Sequence, residues 1–477
     1  MSKLSRRSFL TRSAVATASA TIAGSTLAQT LAAAAGAAPP VPLPGGNASA
    51  YGPLSRVPDQ NGDQILALPA GFQYVTFSRI GEVLSDGTPV PMALDGMAAF
   101  RGPRGTTLLI RNHEVRTPPG FVRGSVQGPE ELRYDTTGVG GTTSLLFDTR
   151  RGELVRDWVS FSGSIVNCAG GVAYRAAGWI TCEESVSGPL QGFARKHGYS
   201  FFVPASTGTP VTAEPITAMG RFTHEAVAVD PHTGTVYETE DSGNDSGFYR
   251  FRPVDPSDLT RGGTLEMLAV AGADGYSTLS GQQVGVSLPV RWVPIDDPDP
   301  DLETNPAIGV AQEGMAKGAA VFNRLEGIWY DQRTGGVFFN STSGGDAGYG
   351  QVWHYDPRAE ILTLFFESPG GSVLDSPDNL VVTPRGSILI CEDDASGAND
   401  DTHPLAPGIV DVNRLVGIDR TGNAFEFAVN TLNGTEFAGA CFSPNGRVLF
   451  VNIFGLFDLP GTGMTCAISG PWGHGPL

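Results

Sequence analysis

One unit recurs along the chain: a turn containing Asp or Pro with Gly, an apolar strand, then acidic or polar residues. It reads DPHTGTVYETED from Asp230, YDQRTGGVFFNSTSGGD from Tyr330, TPRGSILICEDD from Thr383 and SPNGRVLFVNI from Ser443. Counted from Asp230, Asp331, Thr383 and Ser443, the steps are 101, 52 and 60 residues. If the longest step holds an extra blade or an insertion between Val254 and Gly314, the period is that of a four-stranded propeller blade. Fragments at Leu108 to Arg111, Leu145 to Asp148 and Tyr249 to Arg252 read as further blade strands, whereas DDPDPDLETNP from Asp296 is too rich in Pro for a central strand. A sandwich or several small domains is the alternative arrangement. The repeat favours an all-β chain folded as one β-propeller with loop insertions.

Composition agrees. A length of 477 residues would allow two to four domains. With 63 Gly, 35 Pro and only 17% charged residues, however, short strands and turns are favoured over long surface helices. The formal charge of -18 argues against nucleic acid or an anionic membrane as partner and suits cations instead.

The first residues are read as an address. Ser5 to Leu10 spell SRRSFL, the twin-arginine export pattern, and the Ala-rich stretch from Ala14 to Ala38 follows as its apolar region. Residues 1–38 are therefore expected to be a cleaved signal peptide, which leaves 39–477 as the propeller. The twin-arginine translocase is the expected partner during export, and the destination is periplasmic or extracellular. No later run is long enough to span a bilayer, so no membrane insertion is expected.

Five cysteines, Cys168, Cys182, Cys391, Cys441 and Cys466, are an odd number for an exported chain, so at least one thiol should be free. Cys391, Cys441 and Cys466 lie among apolar strand residues and read as small hydrophobes. Cys168 stands apart in a Gly-rich turn.

The acids fall at strand ends: His113 and Glu114 in RNHE, Glu183 and Glu184 in TCEE, His224 and Glu225 in THE, Glu240 and Asp241 in TED, and Glu392, Asp393 and Asp394 in CEDD. A single acid is most often a solvated turn residue. A set repeated at one blade position would gather at one mouth of the axial channel, where carboxylates crowd favourably only around oxygen-seeking cations.

Several motifs together resemble the PhoX-type alkaline phosphatases, which are exported through the twin-arginine pathway. These are RNHE from Arg111, NCAGG from Asn167, TCEE from Thr181, THEAVAVDP and TEDSG, EGIWYD from Glu326, STSGGDAGYGQVW from Ser341, SPDNLVVTPRG from Ser376, GTEFAGACFSPNGRVLFVNI from Gly434 and SGPW from Ser469. The resemblance spans nearly the whole mature chain. It implies a six-bladed propeller whose axis holds ferric iron and calcium around an oxo bridge and hydrolyses phosphomonoesters; the substrate is expected to be small and the chain a monomer. Carried over by motif, Cys168 would be a thiolate ligand to iron, with Glu183 or Glu184, Glu225, Glu326 and Glu436 as carboxylate ligands. Glu240, Asp241, Asp378, Asn379 and Glu392 would complete the calcium-rich part. Arg385 or a neighbouring base would hold phosphate, which makes Arg385, Glu183 and Glu184 the expected catalytic residues. A soft thiolate suits a transition metal and hard oxygens suit calcium.

One stretch departs from the family pattern. Val166 stands where a basic residue usually precedes the Asn-Cys pair, and AYRAAG from Ala173 replaces a Thr-Pro-Trp-Gly run, with Arg175 as a possible substitute base. Two other readings remain open on the residues alone. One is a calcium-binding propeller without catalysis; the other is a propeller hydrolase acting on a lactone or a phosphodiester.

Overall fold

A computed structural model of the chain describes residues 50–477 apart from 207, 209, 306 and 395–401. The expected signal peptide at 1–38 lies outside these residues. The described chain is almost entirely β, in antiparallel meanders arranged as a propeller.

The recurring turn accounts for the local structure. In each copy the Gly takes a left-handed φ that other residues resist, +76° at Gly234, +78° at Gly335, +88° at Gly386 and +67° at Gly446. The leading Asp locks two of these turns, with Asp230 Oδ1 accepting from His232 N at 2.8 Å and Asp331 Oδ1 from Arg333 N at 2.9 Å. Each turn joins the innermost strand of a meander to the next strand outward.

Five hydrogen-bonded sheets result. One comprises Leu94–Arg101, Thr107–His113, Gly140–Asp148 and Glu153–Ser164; a second has Asn167–Val172, Gly178–Glu183 and Ser200–Pro204. The nine-stranded sheet contains two four-stranded meanders, one starting at His224–Val229 and the other at Leu325–Asp331. Ser287–Pro294 bridges them by pairing with the outer strand of each. The remaining meanders start at Pro377–Val382 and Phe437–Phe442. The innermost strands therefore number six, and each neighbours the next in a closed ring.

Chain entry closes the circle. Gln73–Phe77 becomes the outermost strand of the last sheet by pairing with Met464–Ser469, and Leu54–Val57 and Leu66–Pro69 extend the sheet before it. The span 254–314, read as an insertion, turns out to hold a blade strand, Gly263–Val270, the bridging strand and most of the short helix Val310–Ala316. All but the first two residues of that blade strand are buried, so it belongs to the core and not to a surface loop. Apolar clusters fill the wedges between blades, with Trp353 buried and Trp329 packed at a cluster edge. Among the described residues no helix is long and apolar enough to cross a membrane.

Candidate metal centre

Near its start, each innermost strand slips register by one residue: between Leu94 and Met97, Asn167 and Gly170, His224 and Val227, Leu325 and Ile328, Pro377 and Leu380, and Ala438 and Cys441. A bulge breaks the ladder and re-aims the side chain that it carries. In five blades the residue just after the first pair is Asp95, Cys168, Glu225, Glu326 or Asp378, and all five line one cavity. Glu436, immediately ahead of the sixth strand, joins them.

A second ring comes from the ends of the next strands outward. Glu114, Glu184 and Asp393 each follow such a strand and also line the cavity. Their N–H groups donate back to Ala93 O at 2.9 Å, Val166 O at 2.9 Å and Ser376 O at 3.0 Å, which pins the hairpin ends to the residues leading into the inner strands. Several of these lead-in residues are left-handed without being Gly: Ala93 at φ 55°, Val166 at 46°, Arg324 at 40° and Ser376 at 43°. A β-branched residue such as Val166 is costly there, and strain of this kind collects at functional sites.

Among the described residues, eight carboxylates, one thiol and two guanidiniums thus share the cavity. Three overlapping sets could each hold a cation: Cys168, Glu184 and Glu225; Glu225, Glu326 and Asp378; and Asp378, Asp393 and Glu436, with the ligand atoms of each set within 4.8 Å of one another. At an effective dielectric of about 20, two like charges at that spacing repel by about 3 kcal/mol. Burial and this repulsion together disfavour ionisation. Asp378 is pushed up to about 7 by burial, then by Asp393 and Glu114. Glu184 is pushed up to about 8 by burial, with Glu114 and Asp241 adding to it and Arg116 opposing. Glu225 and Glu326 lie well above the usual carboxylate range, burial being the main cause in both. Burial and the acids nearby hold the Cys168 thiol well above its ordinary value.

The two cations of the cavity wall are Arg116 and Arg324. Arg116 Nε donates to Glu114 Oε1 at 2.6 Å, and its Nη2 pairs with Glu184. Arg324 Nη2 donates to Asp241 Oδ2 at 2.9 Å and to Glu326 Oε1 at 2.8 Å. Both side chains remain more than two-fifths exposed.

Of the residues expected from sequence, Cys168, Glu184, Glu225, Glu326, Asp378 and Glu436 come together here. The others have different occupations. Glu183 points away from the cavity and accepts from Gly198 N at 2.9 Å and Ile165 N at 3.0 Å, with His197 Nδ1 at 2.6 Å. Glu240 is taken by Tyr249 Oη at 2.5 Å and Gly247 N at 3.1 Å. Glu392 is gripped by Arg414, whose Nη2 and Nε donate at 2.6 and 2.8 Å. Asp241 stands behind Arg324. Asn379 Nδ2 donates to Asp378 Oδ1 at 2.6 Å while its Oδ1 accepts from Gly439 N at 2.6 Å, so it orients a cavity acid and ties two blades.

Arg385 sits in the turn after Val382, at the opposite end of the strand that begins with Pro377 and Asp378, and its carbonyl accepts from Arg333. It cannot meet a ligand in the cavity. Arg175 also lies in the turn beyond the far end of its strand, stacked over Tyr174, and so does not substitute for a base at Val166. Sequence reasoning noted Glu114 and Asp393 as strand-end acids without giving them a place in the centre, and it missed Asp95, Arg116 and Arg324. The signal for Asp95 was its place beside Gly96 at the head of an apolar strand, as in the Glu326–Gly327 pair. All five cysteines are free and buried; Cys391, Cys441 and Cys466 pack in the core, as their apolar neighbours suggested.

An acidic, thiol-bearing cavity at one end of a propeller axis defines an axial-site β-propeller. The family model for alkaline phosphatase PhoX matches residues 49–455, and the chain belongs to that family. It is thereby a hydrolase of the phosphomonoesterase class. Among solved structures, Pseudomonas fluorescens PhoX in complex with vanadate, a transition state analogue, aligns over 89% of this chain and 99% of its own, at 18% identity and a TM-score of 0.62, which supports the fold. A gluconolactonase from Xanthomonas campestris aligns over 90% of this chain and 99% of its own at 10% identity, with a TM-score of only 0.39. No curated protein sequence matches the chain.

Proposed function

We propose that this protein is exported by the twin-arginine pathway to the periplasm or beyond, and there releases inorganic phosphate from small phosphomonoesters at a calcium and ferric iron cluster. The three overlapping ligand sets are the observation that carries the reading. Glu225 and Asp378 each belong to two of them, so occupancy of one set bears on the next. The donors fit such a cluster: one thiol among carboxylates gives a soft ligand for a transition metal at one end and hard oxygens for calcium at the other. Cys168, Glu184 and Glu225 would hold iron; Glu326, Asp378, Asp393 and Glu436 would hold calcium. The raised pKa values point the same way, because acids that resist ionisation together become favourable as ligands.

When bound, such cations would polarise the phosphoryl group and neutralise the charge that grows on its oxygens. The residues of the chain supply the rest. A phosphate dianion approaching eight carboxylates is repelled, and the guanidiniums of Arg116 and Arg324 are the positive groups at the mouth that can receive it. Both side chains are partly exposed, and a planar guanidinium suits recognition of phosphate. Asn379 holds the Asp378 carboxylate in one orientation through its side-chain amide.

The test is elemental analysis of protein purified after native export, together with an assay on a chromogenic phosphomonoester. Iron and calcium should be present and the protein coloured. Cys168→Ser should lose colour and activity, whereas Cys466→Ser should keep both. A colourless, iron-free preparation working at full rate with calcium alone would overturn the mixed cluster.

A further inference from the structure

The bulges that aim the acids inward also leave backbone carbonyls outside the strand ladder, and a buried carbonyl needs a partner. In four blades that partner comes from the neighbouring blade. Asn452 Nδ2 donates to Asp95 O at 2.6 Å, Asn112 Nδ2 to Cys168 O at 3.2 Å and to Ala169 O at 2.7 Å, Thr239 Oγ1 to Glu326 O at 2.6 Å, and Asn340 Nδ2 to Asp378 O at 2.7 Å. All four donors are fully buried. Each is the last residue but one of its strand, two before the residue that follows the strand at the rim, Glu114, Asp241, Thr342 and Phe454. At a fifth boundary Cys168 Sγ lies 3.3 Å from Glu225 O.

We infer that Asn112, Thr239, Asn340 and Asn452 are positioning residues that fix the spacing of the metal ligands across blade boundaries; this rests on the metal reading above. Thr239 illustrates the device. Its hydroxyl accepts from Ala226 N at 3.1 Å, next to Glu225, and donates to the carbonyl of Glu326, so one side chain ties two ligand-bearing bulges whose carboxylates belong to the same set. Asn340 acts on Asp378 alone, and its own Oδ1 has no hydrogen-bond partner among the described residues. Without these ties each bulge could shift along its blade, and the ligand atoms would lose the common spacing that a cation requires.

The experiment uses the mature full-length enzyme, with melting temperature measured in chelator and in calcium. Thr239→Val keeps the shape and removes the hydroxyl; Thr239→Ser restores it; Asn340→Leu removes the other donor and strands only one carbonyl. The calcium-induced rise in melting temperature should shrink to less than half in Thr239→Val and Asn340→Leu. The calcium needed for half of that rise should increase on the order of tenfold, and Thr239→Ser should return to the wild-type response. If the variants lose equally in chelator and in calcium, leaving the calcium-induced rise intact, the donors are merely structural and the inference falls. If the wild type itself shows no response to calcium, the metal reading is overturned first, and the inference with it.

Discussion

Glu183 and Glu184 are chain neighbours with opposite surroundings. At a strand end successive side chains leave on opposite sides, so Glu184 faces the cavity while Glu183 faces the His197 ring, which also lies against Asp135. Burial works against a charged His197, but Glu183 and Asp135 outweigh it and push the imidazole up to about 9. Because this folded value exceeds the ordinary 6.5, the stabilisation is fully present below about pH 6.5 and is lost as pH rises through about 9. Its size is about 3 kcal/mol, an order-of-magnitude figure. Chemical denaturation across that range should therefore show wild-type stability falling. Glu183→Gln should weaken the enzyme at neutral pH and flatten the profile. Glu184→Gln should instead lose at least a hundredfold in kcat/KM.

At the scale of elements, the bulged starts of the inner strands crowd one another around the axis, and in four blades the residue after the ligand is small: Gly96, Ala169, Ala226 and Gly327. Gly327 is one such case. A Cβ there would lie 2.6 Å from both Asp378 O and Leu380 N, backbone atoms of the next blade that cannot swing aside. Gly327→Ala should force the strands carrying Glu326 and Asp378 apart. A loss of about 1 to 3 kcal/mol in stability is expected, together with a larger fractional loss of phosphatase activity than stability alone explains. Gly327→Ala with unchanged turnover and metal content would show that the spacing of these two strands is not critical.

For the whole molecule, the ring is closed by chain entry and by contacts among inner strands, while its axis carries mutually repelling acids. Cations that bind only this folded arrangement stabilise it by mass action. Chelator should lower the melting temperature as well as abolish activity. Glu326 and Glu436 lie in different sets joined through Asp378, so each change to Gln should cost most of the activity and the double change little more. Independent, multiplying losses would mean that the two acids do not serve one centre.

The sequence alone determined the propeller and half of the candidate centre. Turn, strand and strand-end acid are local features, fixed by Gly at left-handed turns and by alternation along short strands, and repetition forces such units to stack. Cys168, Glu225, Glu326, Asp378 and Glu436 were legible through the resemblance of their motifs to the PhoX family, and each stands at or just before the start of an apolar strand. The direction of a side chain in a bulge is not local in this sense, since a one-residue slip in pairing moves it to another face. Only the tertiary structure could therefore separate Glu184 from Glu183, and send Glu240 to Tyr249 and Glu392 to Arg414. Arg385 shows the same limit: its motif is contiguous with Asp378, yet a strand carries it to the far end of the axis, while Arg116 and Arg324 reach the mouth from loops with no shared pattern. Which residues meet on the axis is decided by how blades abut, through contacts that join residues hundreds of positions apart.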